Sequence, residues 1–169
     1  MMFLAFQILT VLIVAIAMAL TLAHALELPG KLRLSKEQYF AVQKIYYPGF
    51  TVGGAAEPIG ILLLLGMMLM FPVGSTAFWL MAAALLALAA MHLAYWLLTH
   101  PVNNFWLRDV ELKKGGAGFF NFQPLGWLTD GDQADWTSLR NRWEFSHVLR
   151  AVFGVASLIF LVAAIALHA

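Results

Sequence analysis

Residues 2–26 read MFLAFQILTVLIVAIAMALTLAHAL, an apolar run with few polar interruptions. A helix needs about 20 mostly apolar residues to cross a lipid bilayer. Backbone N–H and C=O groups in lipid must bond within the segment, so such a run indicates a helix and not a strand. We therefore expect the chain to enter a membrane with this segment.

Three further apolar runs follow, at residues 52–72, 76–99 and 143–167. The composition agrees, because 62% of the residues are hydrophobic and only 11% are charged, whereas a soluble domain carries about 25% charged residues. The turn between the second and third runs is so short that these helices must be antiparallel neighbours. Small residues such as Gly60 and Gly66 permit close helix contact. The sequence predicts an all-α fold, a single integral membrane domain over residues 1–169 built as a four-helix antiparallel bundle.

Nine of the ten Lys and Arg residues lie in two predicted loops, residues 28–51 and 100–142, and the tenth, Arg150, lies in the fourth apolar run. Both chain ends and the turn near residue 74 carry no Lys or Arg. Lys and Arg remain on the cytoplasmic side of a membrane. We therefore expect both loops in the cytoplasm and both termini outside it, in the inner (plasma) membrane of a bacterium. The lipid bilayer is the expected partner. A net charge of +1 with scattered basic residues indicates no nucleic-acid partner.

Ionisable and polar residues gather at the loop-side ends of all four predicted helices, where they form the candidate site. Such residues inside membrane segments face the interior of a bundle by default. His92 alone sits deeper, about 12 Å along the third helix from His100. The catalytic candidates are His24, Glu27, Glu144, His147 and Arg150, and the substrate-binding candidates are Glu57, His100, Asn103, Asn104 and Trp143.

These residue types suit acid/base chemistry without a cofactor. Histidine titrates near neutrality, and paired with a carboxylate it can remove a proton from an acidic carbon or a phenol. We assign His147 as the base, oriented by Glu144 or Glu27. Arg150 and the two asparagines are the expected donors to an oxyanion or a carbonyl. Because an unpaired guanidinium in lipid is costly, we expect Arg150 to bond one of the three glutamates.

Two other interpretations of the same residues stay open. In each of the pairs His24/Glu27 and Glu144/His147, the partners are three positions apart in sequence, so each pair shares a helix face. Glu57 on another helix completes a set that resembles the carboxylate bundles that hold two iron ions. The residues that could hold a metal ion are therefore His24, Glu27, Glu57, Glu144 and His147. In the purely structural interpretation, Glu27 instead pairs with Arg142 or Arg150 and joins the first helix to the fourth.

Three stretches of the chain resemble the anthrone oxygenase-like family of small four-helix membrane proteins. They are His24-Ala-Leu-Glu27-Leu-Pro-Gly30 with Gln43 to Pro48, then Pro101-Val102-Asn103-Asn104, and finally the segment from Arg142 to Arg150. The family motif Trp-x-x-x-His-x-x-Arg falls on Trp143, His147 and Arg150. The resemblance implies oxidation of polyketide anthrones to anthraquinones by molecular oxygen, without an obvious cofactor.

We thus expect a membrane oxygenase or oxidoreductase that uses acid/base chemistry on a lipophilic aromatic or quinone-like small molecule. The site is expected at the cytoplasmic end of the bundle. The alternative function is that of a non-catalytic accessory or structural subunit, whose partners would be other membrane proteins. A cavity lined by the candidate residues would favour an enzyme, whereas a filled bundle would favour a subunit.

Overall fold

A computed structural model describes residues 1–106, 119–120, 122 and 135–168, except for the side chain of Asn104. Every regular element in these residues is a helix, as predicted. The greater part of the predicted second loop lies outside the described residues.

Four helical segments are long and apolar enough to cross a membrane: Met2–Lys31, Gly49–Met68, Thr76–Asn103 and Trp136–His168. They fit the prediction of an integral membrane protein. The helices are α1 (Met2–Lys31), α2 (Lys36–Gln43), α3 (Gly49–Gly53), α4 (Ala56–Met68), α5 (Thr76–Ala94), α6 (His100–Trp106) and α7 (Trp136–His168). A 3₁₀ turn at Lys44–Tyr46 follows α2, and a π-helix at Tyr95–Thr99 joins α5 to α6.

The helices continue beyond the predicted apolar spans on the loop side. The first helix runs past residue 26 to Lys31 and includes Pro29, and α7 begins at Trp136 rather than at residue 143. These extensions carry polar side chains, which the hydrophobic pattern cannot include. The predicted first loop itself contains α2, which starts with a reciprocal cap: Ser35 Oγ accepts from the N–H of Gln38 at 3.3 Å, and Gln38 Oε1 accepts from the N–H of Ser35 at 3.0 Å.

The long helices pack as a ring in which α1 contacts α4 and α7, and α5 contacts the same two helices. Small residues let them approach closely. A Cβ added at Gly154 of α7 would lie 3.1 Å from the Cα of Met18 in α1. Ser157 Oγ of the same helix donates to the carbonyl of Ala84 in α5 at 2.8 Å. The apolar core between the helices includes Leu64, Leu88 and Leu161.

A second apolar cluster lies at the loop-side end of the ring. It consists of the buried residues Tyr39, Val102, Trp106, Leu139 and Trp143, from α2, α6 and α7. Between the two clusters the helices are not filled by side chains.

Candidate functional site

A cavity of about 520 Å³ occupies the space between the two apolar clusters. Aromatic side chains form much of its wall, among them Tyr46, Phe50, Tyr95, Trp96, Trp106 and Trp143. The polar side chains in the wall include His24, Glu57, His92, Asn103, His147 and Arg150. Five of these six belong to the predicted site, and His92 had been placed deeper along the third helix. Binding pockets for small molecules typically combine such an apolar wall with a few polar groups.

An ion pair between Arg150 and Glu57 connects α7 to α4 at the wall of the cavity. Arg150 Nη2 donates to Glu57 Oε1, and both side chains are buried, at 7% and 5% exposure. The prediction that Arg150 bonds one of three glutamates is confirmed. The other oxygen of Glu57 lies 3.1 Å from His92 Nδ1. Because Trp96 Nε1 donates to His92 Nε2 at 3.0 Å, the proton of His92 is on Nδ1 and is donated to Glu57.

His147 is held by its own helix and not by a glutamate. Its Nδ1 lies 2.9 Å from the carbonyl oxygen of Trp143. A carbonyl only accepts, so Nδ1 carries the proton and Nε2 presents a lone pair. Arg150 Nη1 approaches that lone pair at 3.3 Å, beyond the usual range for an N–H donor. The expectation that Glu144 or Glu27 orients His147 is therefore wrong, because a carbonyl one turn away already occupies Nδ1.

His24 packs edge-on against His147 in the wall of the cavity, with ring centroids 4.4 Å apart. Tyr46 and Phe50 flank the same ring, at 4.3 and 4.5 Å. Lys31 Nζ lies 3.3 Å from His24 Nδ1. An ammonium group only donates, so His24 accepts at Nδ1 and carries its proton on Nε2.

Glu27 and Glu144 lie outside the cavity wall, around the buried ammonium group of Lys31. Lys31 Nζ is 2.9 Å from Glu27 Oε2 and 3.8 Å from Glu144 Oε1. It also lies 4.9 Å from the ring centroids of Tyr46 and of Trp143, which are cation–π contacts. The two glutamates are thus partners of a cation that the sequence had placed in a loop.

Two tyrosines complete this arrangement as hydrogen-bond donors to the same glutamates. Tyr39 donates to Glu144 Oε1 at 2.8 Å, and Tyr46 donates to Glu27 Oε2 at 2.6 Å. Burial, together with the adjacent carboxylate, raises the pKa of both phenols above the usual value. Both tyrosines are therefore protonated donors at neutral pH.

The remaining candidates on the third segment have separate roles. His100 Nε2 donates to the carbonyl of Phe122 at 2.6 Å, and His100 Nδ1 accepts from the hydroxyl of Tyr95 at 3.0 Å. His100 therefore lies behind Tyr95 and outside the wall. Asn103 Oδ1 accepts from Trp143 Nε1 at 3.0 Å and does line the cavity. The side chain of Asn104 lies outside the described residues.

The five candidate metal ligands do not gather around one point. Among the described residues, no group of three or more His, Asp or Glu side chains could hold a metal ion. Glu57 instead pairs with Arg150, and Glu27 pairs with Lys31. The arrangement provides ion pairs and hydrogen bonds at the positions where the sequence suggested metal ligands.

Several residues of the site were not predicted. The spacing of Glu27 and Lys31, four residues apart on one helix, could have indicated their ion pair. Tyr39 contacts Glu144 through a hydrogen bond, and Tyr95 contacts Arg150, whose guanidinium carbon lies 5.1 Å from the ring centroid of Tyr95. Because these partners are distant in sequence, the spacing of residues gives no signal for either contact. A π-helix places Tyr95, and such elements often mark functional sites.

Three N–H groups on cavity-lining side chains are buried without an acceptor in the described part of the chain. They are Gln43 Nε2, which lies close to the hydroxyl of Tyr39, Trp106 Nε1 and Arg150 Nε. All three of these unsatisfied groups are donors. A ligand with acceptor oxygens would satisfy this wall better than a ligand rich in N–H groups.

Comparisons of the chain with protein-family models, with curated proteins and with solved structures give no match. The function is therefore argued from the geometry of the site and from the sequence motifs.

Proposed function

We propose that this chain is an integral membrane oxygenase that binds a lipophilic aromatic or quinone-like molecule and oxidises it by acid/base chemistry. The observation that carries the proposal is the aromatic cavity of about 520 Å³ with His147 and the Glu57–Arg150 pair in its wall. An accessory subunit, which is the competing interpretation, would not require a cavity of this size and polarity.

The proposed arrangement in the membrane is an antiparallel bundle. Contacts at opposite ends of α1 and α7 support it: Phe3 lies near His168, with ring centroids 6.0 Å apart, and His24 lies near His147. The beginning of one helix thus meets the end of the other. We place the cavity end at the cytoplasmic side of a bacterial inner membrane and both termini at the opposite side. The reason is that the described basic residues lie at the loop-side ends of α1 and α7 and in the segment between α1 and α3.

The electrostatics of the wall suit a substrate with a carbonyl or phenol oxygen. Arg150 donates to Glu57 through Nη2 and directs Nη1 towards His147, whereas its Nε has no acceptor among the described residues. A guanidinium carries five N–H donors, so it can hold Glu57 and a ligand oxygen together. In a dry site such a donor stabilises negative charge that develops on that oxygen.

The proposed reaction converts a CH₂ group between aromatic rings into a carbonyl. His147 Nε2 takes one proton from the carbon, and the electron pair spreads to the ring carbonyl oxygen near Arg150. The carbon then forms a bond to molecular oxygen, the O–O bond breaks, and the second C–H bond is lost as water leaves. One O₂ is consumed for each water released, so R₂CH₂ and O₂ give R₂C=O and H₂O. This is the chemistry that the motif Trp143, His147 and Arg150 implied.

The experiment that tests the proposal uses the purified protein in detergent with anthrone as the substrate. Three tryptophans line the cavity, so binding should quench tryptophan fluorescence, and turnover should consume oxygen in a 1:1 ratio to the anthraquinone formed. His147→Gln should retain the quenching and lower turnover by about 10²–10⁴-fold, the usual contribution of a general base. Arg140→Gln is the matched control, because Arg140 lies at the loop-side start of α7, and it should leave both signals unchanged.

Two results would contradict this proposal. Absence of both quenching and oxygen uptake would remove the enzymatic function. Stoichiometric co-purification with another membrane protein, together with the absence of anthrone binding, would favour the accessory subunit.

The arrangement in the membrane has its own test. The chain has no cysteine, so Lys36→Cys in α2 and Val73→Cys in the turn before α5 each give a single thiol. A membrane-impermeant maleimide should label the two variants from opposite sides of sealed vesicles. Labelling of both from the same side would contradict the four-span arrangement.

A further inference from the structure

The cavity is closed towards the loop side by the second apolar cluster. Trp106 and Trp143, at 3% and 4% exposure, form the wall there. Behind them pack Tyr39, Val102 and Leu139, which are also buried. A substrate arriving from the water on this side would have to displace these packed side chains.

Among the described residues, the wall of the cavity between α4 and α5 reaches the surface of the molecule. Ala55 and Pro58, at the start of α4, line the cavity and are exposed at the surface. Across from them, His92 and Trp96 also line the cavity and are only half-buried. The α-helix is interrupted between Gly53 and Ala56, which leaves only small residues at this edge.

This edge of the cavity lies about two helical turns further along the bundle than the basic residues at the loop-side start of α7. Along α7, Arg150 is about 12 Å deeper than Arg142, at about 1.5 Å per residue. Arg150 bonds Glu57, and Glu57 directly precedes Pro58, so the edge of the opening lies close to the level of Arg150. The exposed residues that follow on α4, Ile59 and Leu62, are apolar, as a lipid-facing surface requires.

We propose that the gap between α4 and α5 is a lateral portal, through which the substrate enters the cavity directly from the bilayer. The inference rests on the proposed function and narrows its substrate class. The substrate is a membrane-dissolved molecule whose oxygen-bearing ring reaches Arg150 and whose apolar remainder points through the portal into the lipid. A water-soluble aromatic compound would not dissolve in the bilayer and therefore would not reach the portal.

The location of the portal is tested without any substrate. A nitroxide attached to Ala55→Cys, in the protein reconstituted into phospholipid vesicles, reports its surroundings through collisional relaxation by oxygen or by a water-soluble nickel chelate. Leu62→Cys on the exposed face of α4 is the lipid control, and Lys36→Cys on α2 is the water control. We expect the oxygen-to-nickel ratio at position 55 to match position 62. A ratio that matches position 36 would mean that the opening faces water and would overturn the proposal.

The passage of substrate is tested with a reversible block. The single thiol of Ala55→Cys is converted to a bulky aromatic disulfide with a methanethiosulfonate reagent, and Leu62→Cys is treated in the same way. The association rate of an anthrone that carries a long alkyl chain is measured by the quenching of tryptophan fluorescence. The adduct should lower this rate at least tenfold at position 55 only, and reduction of the disulfide should restore the original rate. Equal association rates with and without the adduct would overturn the portal, even if the protein binds anthrone. If the untreated protein binds no anthrone, the proposed function fails, while the nitroxide result still decides where the opening lies.

Discussion

Two buried cations, Lys31 and Arg150, lie at the same end of the molecule but in different surroundings. The side chain of Lys31 is 4% exposed and is surrounded by two carboxylates, His24 and two aromatic rings. Among the residues that the structure describes, Arg150 is 7% exposed, has one carboxylate partner, and retains a buried Nε without an acceptor. Within this part of the chain, the ammonium group therefore has a complete set of partners, whereas the guanidinium does not.

The difference separates a group that fixes the structure from a group that is available to a ligand. Lys31 joins the end of α1 to α7 through Glu144, at a place outside the cavity wall. Arg150 lines the cavity, donates to Glu57 through Nη2 and only approaches His147 with Nη1. Spare donor capacity next to an empty volume is the feature that a binding site needs and that a purely structural ion pair lacks.

The largest effect should come from Arg150→Met, which leaves the carboxylate of Glu57 buried with His92 as its remaining partner. Breaking a buried ion pair from one side typically costs about 3–5 kcal/mol. The free energy of unfolding in detergent, from denaturant titration, should fall by this amount, whereas Arg140→Met should change it little. The double variant Glu57→Leu/Arg150→Met should recover a large part of the loss. Equal and small effects at positions 140 and 150 would show that Arg150 anchors nothing.

A smaller loss of stability is expected for Lys31→Met, although Lys31 is at least as buried. Glu27 is 44% exposed and can be solvated by water, and Glu144 keeps its hydrogen bond from Tyr39. The cost should be about 2 kcal/mol, mainly for the less satisfied Glu144. The affinity for anthrone should stay within a few-fold of that of the unsubstituted protein, because Lys31 is not in the cavity wall. A loss of anthrone affinity of more than about tenfold, the worth of one hydrogen bond, would remove the distinction between the two cations. The matched control is Arg33→Met, at an exposed position on the same side.

Tyr39 and Tyr46, which donate to the two glutamates around Lys31, should contribute unequally to stability, with the larger contribution from the more buried hydrogen bond. Tyr39→Phe removes the donor from a carboxylate that is 2% exposed, and should cost about 1.5 kcal/mol. Tyr46→Phe removes it from the exposed Glu27 and should cost less. Burial raises the pKa of Tyr39 in the folded protein, so its contribution is complete below about pH 10 and is lost at higher pH. Stability measured from pH 8 to 11 should therefore fall less steeply in Tyr39→Phe, and equal slopes would contradict the assignment.

The long helices and the pairing of Arg150 could be predicted from the sequence, for physical reasons. Hydrophobic runs define membrane-length helices by themselves, and the cost of an unpaired guanidinium in lipid required a carboxylate partner. The identity of that partner, and the division of the glutamates between two cations, depend on helix rotation. Side chains that share a depth can point to the cavity, as Glu57 does, or away from it, as Glu144 does. The π-helix that places Tyr95 has no signal in the hydrophobic pattern.

The smallest change in stability, and the sharpest test of spare donor capacity, is expected for Gln43→Leu. Gln43 lines the cavity, and among the described residues its buried Nε2 has no acceptor at normal hydrogen-bond geometry, although the hydroxyl of Tyr39 lies close to it. An unsatisfied buried donor costs free energy, so an apolar side chain of similar size should leave the free energy of unfolding unchanged or raise it by about 1 kcal/mol. If the donor serves a ligand oxygen, anthraquinone should bind about tenfold more weakly, which corresponds to the net worth of one hydrogen bond. Equilibrium quenching of tryptophan fluorescence measures the affinity, and Val42→Leu, the neighbouring position in α2, is the control. Lower stability with unchanged affinity would show that Gln43 has a partner within the protein. Of the three buried donors in the cavity wall, only those of Arg150 and Trp106 would then be available to a ligand.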